Sequence, residues 1–256
     1  MAEKNLYDDE ALALQRAAQD DPWVLYLVVR RALAPTLEAL LVAAARATAG
    51  VTALSLDPAW RDAFQHWGAR SFRKVCLRAS EREWAALEAL AGFTVEGSAG
   101  DGGLVRALPP RKKSARERLL VKLQAYSPAP EAFPPGEGLA VPQAPTALLV
   151  VHGQVPMSAG KLAAQVGHAV LMAAQALGPG DPGALEGWVH AGHPCAVREA
   201  TGELWAALRR EERCVAVRDA GLTEVSPGTE TVLGFAPRAP SRWPERLRDL
   251  PRVRSA

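Results

Sequence analysis

The segment PMSAGKLAAQVGHAV, residues 156–170, gathers the side chains best suited to chemistry in this 256-residue chain. Lys161, Gln165 and His168 stand at i, i+4 and i+7, so a helix projects all three from one stripe. Leu162, Val166, Ala169, Val170, Ala173 and Leu177 recur at the spacing of an adjoining buried face. Ser158 fits the N-cap, and Gly160 can open the helix. A lysine in the first turn, beside backbone N–H groups without helical partners, makes an anion site for a phosphate or a developing oxyanion. A second segment, RDAGLTEVSPGTETVLG at residues 218–234, places Asp219 at the end of a buried strand, then a glycine turn, then Thr223. Sites collect at strand ends in α/β sheets. A carboxylate at Asp219 can orient Lys161 or His168, and the Thr223 hydroxyl can hold a water or a substrate oxygen. Each of these residues also has an ordinary reading: a solvated lysine, a packed histidine, a plain Asp-Ala-Gly turn. His190 and His193 fall in a loop before Pro194, and Cys195 and Cys214 read as strand-core thiols. Neither a metal site nor a Cys–His nucleophile is expected.

These residues need a scaffold, and the chain spells one out twice. VLYLVVR (residues 24–30) and ALLVVH (residues 147–152) read as short buried strands, with Val28-Val29 matching Val150-Val151 at an offset of 122. Each precedes an Ala-rich helical stretch, residues 37–48 and 161–177. SEREWAAL matches TGELWAAL at an offset of 121, which puts Trp84 and Trp205 at equivalent positions in two cores. ALPPR with FAPRAP, and RERL with PERL, extend the match at offsets of 128 to 129. The second copy therefore carries extra residues between Trp205 and Ala236. Between the copies, SPAPEAFPPGEGLAVPQAP lacks periodicity and reads as an extended linker. The alternation predicts an α/β fold of two similar small mixed-sheet domains flanked by helices and joined by a Pro-rich linker. The expected boundaries are 1–126 (core from 21), 127–143 and 144–256. The second half is expected to add a hairpin, CVAVR and TVLGF, around Ser226-Pro227-Gly228.

Net charge is only +2, so a nucleic-acid partner has to be argued from where charges sit. Cys76, Cys195 and Cys214 are widely spaced without a CxxC pair, as in reduced cytosolic proteins. The stretch MAEKNLYDDEALALQ is acidic and lacks the apolar centre of a signal peptide. No uncharged apolar run reaches the roughly 18 residues of a membrane span. A cytoplasmic protein with no membrane contact and no cofactor is expected.

Two valines ending a strand, then Met157, Gly160-Lys161, Ala163-Ala164-Gln165 and His168-Ala169, then the whole run from Arg218 to Gly234, resemble the type II peptidyl-tRNA hydrolase family. The tandem plan resembles a two-domain bacterial branch of that family. The resemblance implies a small, usually dimeric mixed-sheet enzyme that hydrolyses the ester joining a peptide or N-blocked aminoacyl group to the 3′ end of tRNA. It implies catalytic roles for Lys161, Asp219 and Thr223, with Gln165 and His168 at motif positions, and substrate contacts at Gly160, Arg218, Thr229 and Thr231. Against the family pattern, Ala159 and Pro156 stand where lysines are usual. His152 and Gln154 replace an arginine and an aspartate, and Gly167 stands where a serine is common. These departures remove expected RNA phosphate contacts.

In the first copy, Ala39, Ala43 and Arg46 fall opposite Lys161, Gln165 and His168, so that half should be catalytically dead. It keeps Arg30 and gains a basic run from Arg106 to Lys122. Within that run Arg111, Lys112 and Lys113 are either tRNA-backbone contacts or a solvated face. The sequence therefore points to hydrolysis of peptidyl-tRNA, with an intrachain pseudo-dimer or a homodimer as the assembly. The alternative is a non-catalytic RNA- or protein-binding module that keeps the fold. The hydrolase reading requires Lys161 and Asp219, 58 positions apart, to meet at one pocket.

Overall fold

A computed structural model of the chain describes residues 21–33, 35–97, 103–136, 138–177 and 182–253; the acidic N-terminal stretch lies outside them. In the first half β1 (Trp23–Arg30) runs parallel to β2 (Arg73–Ala79) and antiparallel to β4 (Gly103–Lys112). β3 (Phe93–Glu96) pairs with β4, and the two-residue β5 (Gln124–Ala125) extends the sheet beyond β2. The order is β3-β4-β1-β2-β5. In the second half β6 (Thr146–His152) is parallel to β7 (Cys195–Ala200) and antiparallel to β9 (Glu230–Arg238), which pairs with β8 (Cys214–Arg218). Its order, β7-β6-β9-β8, is that of the first sheet without β5. The α/β plan of two similar mixed sheets flanked by helices is therefore present.

Two expectations need correction. The hairpin is not an addition of the second half, because β3 and β4 form the same pair in the first. FTVE is short, with only Val95 buried, and gives little strand signal in sequence. The ladders also refine the repeat. Arg106 lies opposite Val28 and Leu233 opposite Val150, so the offset of 122 becomes 127 (233 − 106) in the last strand. Five or so extra residues thus belong to the β8–β9 loop, which starts at Asp219.

Helix α1 (Leu37–Val51) and helix α5 (Ala159–Gln175) start 122 residues apart. Both carry hydroxyl N-caps: Thr36 Oγ1 accepts from the Ala39 N–H and Ser158 Oγ from the Lys161 N–H, each at 3.2 Å. The two helices pack on each other between the sheets. α1 lies on β3 and β4 and reaches β7 of the other sheet; α5 lies on β6, β8 and β9 and reaches β2. Strand alternation explains this layering. Leu25, Leu27 and Val29 of β1 and Ala147, Leu149 and Val151 of β6 enter one shared core with the helix pair. Val24, Tyr26 and Val28 face the outer α3 (Glu81–Leu87) and its Trp84, and Leu148 and Val150 face the outer α7 (Gly202–Arg209) and its Trp205. Each fully buried Leu contributes roughly 1.5–3 kcal/mol of apolar transfer, so the shared layer binds the halves firmly. A buried ion pair crosses it: Arg198 Nη1 of β7 donates to Glu38 Oε1 of α1 at 2.8 Å.

The stretch Leu37–Leu56 is long and apolar enough to span a membrane by composition alone. Glu38 and Arg46 interrupt it, and here α1 is the helix enclosed between the sheets. Residues 127–143 contain one short 3₁₀ turn, Pro130–Ala132, and no other helix or strand among the described residues. The segment is nonetheless fastened down. Phe133 is buried in the shared core, and Pro128 O accepts from the Ala159 N–H at 2.9 Å.

Candidate active site

The start of α5 and the β8–β9 loop meet at a cleft of about 450 Å³. Lys161 Nζ donates to Asp219 Oδ2 at 2.5 Å and to Thr223 Oγ1 at 3.0 Å. One turn along the helix, Gln165 Nε2 donates to the same Asp219 oxygen at 2.6 Å. Thr231 Oγ1, buried on β9, donates to Gln165 Oε1 at 2.7 Å. That bond fixes which end of the Gln165 amide faces the carboxylate. The sequence-predicted Lys161, Gln165, Asp219, Thr223 and Thr231 therefore form one hydrogen-bonded chain drawn from a helix, a strand and a loop.

Backbone geometry holds Asp219 in place. Its N–H donates to Thr229 O at 2.9 Å, and its carbonyl accepts from the Gly228 N–H at 2.7 Å. Asp219 Oδ1 accepts from the Gly221 N–H at 2.8 Å, closing a turn that requires a φ of +72° at Gly221. A Cβ there would also lie 2.4 Å from Pro227, so only glycine fits. Thr229 thus shapes the loop through its backbone; its hydroxyl donates to Ser226 O at 2.7 Å. Glu224, which sequence reasoning passed over, ties loop to helix by accepting from Ser158 N and Ser158 Oγ at 2.6 and 2.7 Å. The hint was its place one residue after Thr223.

The other predicted residues divide. Gly160 lines the cleft, where a Cβ would come within 1.8 Å of the Tyr126 carbonyl oxygen. Arg218 lines the cleft with its guanidinium 3.5 Å from Glu230. His168 lines it too, but its Nδ1 faces Lys74 Nζ of β2 at 3.1 Å rather than Asp219. Burial, then the neighbouring Lys74 and Lys161 charges, push the His168 imidazole well below its usual range, so it is neutral near pH 7. Arg111 leaves the proposed basic face: it is buried, paired with Glu117 at 2.5 Å and set over the Trp60 ring. Pro109 and Pro110 carry β4 to its end, and Arg111 turns inward there. Lys112 is exposed on the surface, whereas Lys113 lines the cleft. Arg106, in the same basic run, is also internal, bonded to Leu90 O at 2.5 Å.

Two of the residues that depart from the family pattern, His152 and Gly167, have definite surroundings. His152 lies against Trp205, ring centroids 4.2 Å apart, as its counterpart Arg30 lies over Trp84. At Gly167 a Cβ would stand 2.7 Å from Thr48 Oγ1 and 3.2 Å from Lys74 Cδ, so first-half side chains fill the space a serine there would need. Among the described residues no group of three or more His, Cys, Asp or Glu side chains is placed to hold a metal ion. An adjoining cavity of about 670 Å³, reached past Ser158 and Glu224, is bordered by Val151, Val155, Met157 and Leu162.

Residues 146–251 match the family model described as Peptidyl-tRNA hydrolase PTH2. Over 114 residues the chain is 41% identical to a Methanopyrus kandleri protein named peptidyl-tRNA hydrolase, covering 42% of this chain and 97% of the relative. It is 34% identical over 96 residues to the human protein named mitochondrial peptidyl-tRNA hydrolase 2, covering 35% of this chain and about half, 54%, of the human protein. A Thermococcus onnurineus peptidyl-tRNA hydrolase is 33% identical over 96 residues, 81% of its length. With the motif residues converging on one cleft and a relative matched over nearly its whole length, the chain belongs to the peptidyl-tRNA hydrolase PTH2 family.

Proposed function

We propose that the protein hydrolyses the ester between the 3′-terminal ribose of tRNA and a peptidyl or N-blocked aminoacyl group. The observation that carries this reading is the Lys161–Asp219 pair, shared with Gln165 and Thr223 at the rim of a cleft of about 450 Å³. Water attacks the ester carbonyl, its oxygen bonding to carbon while the bond to the ribose oxygen breaks. The Lys161 ammonium faces the negative charge that develops on the carbonyl oxygen, the Ala159 and Lys161 N–H groups being taken by Pro128 O and Ser158 Oγ. A positioned donor of this kind lowers the barrier by about 3 kcal/mol. Asp219 accepts three hydrogen bonds, which leaves roughly one of its four acceptor positions, on Oδ1, for the water. The proton taken there returns to the departing ribose oxygen. The base role thus falls to Asp219; His168 is occupied by Lys74. The adjoining cavity offers apolar room for the acyl side of the substrate.

The test is turnover of N-acetyl-aminoacyl-tRNA by folded variants. Lys161→Ala and Asp219→Asn are expected to lose a hundredfold or more, from about 3 kcal/mol at one tenfold per 1.36 kcal/mol. His168→Gln should lose far less. Retained turnover in the first two variants removes the mechanism. Binding of tRNA by the wild type without ester cleavage makes the protein a non-catalytic RNA-binding member of its family.

The first half, we further infer, stands where a second subunit would, making the chain its own pseudo-dimer. The crossed packing of α1 on β7 and α5 on β2 supports this, since reciprocal contacts are the mark of a two-fold interface. Sedimentation at the mass of a single chain is expected; an obligate homodimer contradicts the inference.

A further inference from the structure

The cleft has two walls, and the second comes from the first half of the chain. Five cationic side chains line it: Lys161 and Arg218 from the second half, and Arg73, Lys74 and Lys113 from the first. Among the described residues two carboxylates line it, Asp219 and Glu224, and both are engaged, by Lys161 and Gln165 and by Ser158. Among the described residues no carboxylate forms an ion pair with Arg73, Lys74 or Lys113. Asp21 lies near Lys113, but its two oxygens accept from Ser114 N and Ser114 Oγ at 2.8 and 2.7 Å. The cleft thus holds an excess of positive charge in a concave, half-enclosed space, which attracts anions.

The approach to Lys74 is built rather than incidental. One turn of π-helix, Trp67–Ser71, ends at Phe72, whose φ of +43° is costly for a bulky residue. This places Phe72 against His168, centroids 5.1 Å apart, and sets the Lys74 ammonium 3.9 Å from the Phe72 ring centre and 4.8 Å from that of Trp67. The lysine stem lies over Gly167, where a Cβ would come within 3.2 Å of Lys74 Cδ, so glycine admits a side chain from the other half. Strained backbone of this kind persists only where the surroundings hold it.

We propose that Arg73, Lys74 and Lys113 form a phosphate-binding wall that grips phosphodiester groups beside the esterified 3′ end of tRNA. The inference rests on the peptidyl-tRNA reading above and assigns the first half a part in substrate recognition.

The experiment compares wild type, Arg73→Ala/Lys113→Ala and Lys74→Met on two substrates: N-acetyl-aminoacyl-tRNA and N-acetyl-aminoacyl-adenosine, which has no phosphate. Tight tRNA association is measured in parallel across a salt series. For the double variant KM on the tRNA substrate should rise about tenfold, equivalent to roughly 1.4 kcal/mol. The log–log salt slope of tRNA binding should become shallower by about 1.4, from two contacts at about 0.7 each. Turnover of the adenosine ester should stay within twofold of wild type, and Arg73→Lys/Lys113→Arg should restore tRNA affinity. Lys74→Met should also weaken tRNA selectively. An unchanged salt slope, or equal loss on both substrates, overturns the proposal. Absence of turnover by wild type on both substrates sinks the hydrolase reading instead, and the salt series still decides whether the wall binds phosphate.

Discussion

Replacing Lys74 with methionine should make the protein more stable while it weakens tRNA binding. Burial alone drives the Lys74 ammonium well below the ordinary lysine range, and the side chain is only 7% exposed. Desolvating such an ion costs several kcal/mol. The two aromatic faces return about 1–2 kcal/mol in total and the contact with His168 about 1. Methionine keeps the stem over Gly167 and a sulfur contact to the rings without the ion. The balance favours the variant by on the order of 1–2 kcal/mol near neutral pH. At roughly 2–4 °C per kcal/mol for a chain of this size, Tm should rise by about 2–8 °C. The pH dependence supplies a sharper check. Between the depressed folded pKa and 10.5 the unfolded chain holds the Lys74 proton more tightly, so wild-type stability climbs with pH in that window. The variant lacks this rise, and the gap between the two proteins should close as pH approaches 10.5. Thermal unfolding at several pH values measures both. A lower Tm for Lys74→Met at pH 7, or a gap that does not change with pH, refutes the reasoning.

Other perturbations have equally definite outcomes. Glu38→Ala leaves the buried Arg198 guanidinium without its carboxylate and should cost about 3–5 kcal/mol; urea unfolding measures it, and Glu38→Met/Arg198→Met should recover most of the loss. Gly167→Ser meets Thr48 Oγ1 at 2.7 Å and Lys74 at 3.2 Å from its Cβ, so overpacking of about 1–3 kcal/mol is expected, with Thr48→Ala easing it in a double-mutant cycle. His168 is held below 6.5, so the unfolded chain binds more protons beneath that pH and stability falls there; His168→Gln should flatten that fall in an acid unfolding series. Thr231→Val leaves Gln165 Oε1 buried without its donor and should lower stability by about 1–3 kcal/mol, while also reducing kcat because Gln165 no longer holds Asp219.

Much of this site is legible in sequence because its parts obey local rules. Lys161 and Gln165 sit one helical turn apart beside an apolar stripe, and Asp219 precedes a glycine whose φ of +72° the turn demands. The repeat offset of 122 is also the spacing between the starts of α1 and α5. Helix α5 nonetheless begins and ends two residues before the expected 161–177, and α1 runs three residues beyond 48. What stays hidden depends on tertiary pairing. Lys74 occupies an inward position of β2, alternating with Arg73 and Val75, and no periodic argument separates a functional lysine there from an oddity within a buried strand. Only the packing of β2 on α5 gives it His168 for a neighbour. The basic run misled for a related reason. Charge counts treat Arg106 and Arg111 as surface residues, yet both guanidinium groups are buried at their β4 positions and bonded within the protein, to Leu90 O and to the half-exposed Glu117. The hairpin of the first half was missed because FTVE is short and partly polar, and its pairing with β4 makes it a strand.

The strand register carries one more implication. Leu25 lies opposite Lys74, and Ala147, its equivalent 122 residues on, lies opposite Cys195. In an assembly of identical subunits every residue that crosses the interface must suit both of its destinations, so a lysine at this place would be obligatory twice. Tethering two unequal copies lifts that constraint. On the pseudo-dimer reading proposed above, one half can invest a costly buried cation in the candidate cleft, and the other can keep a small thiol whose pKa is pushed up to about 12 and which stays protonated and inert. Asymmetry of this sort is open to a fused pair and closed to a strictly two-fold one.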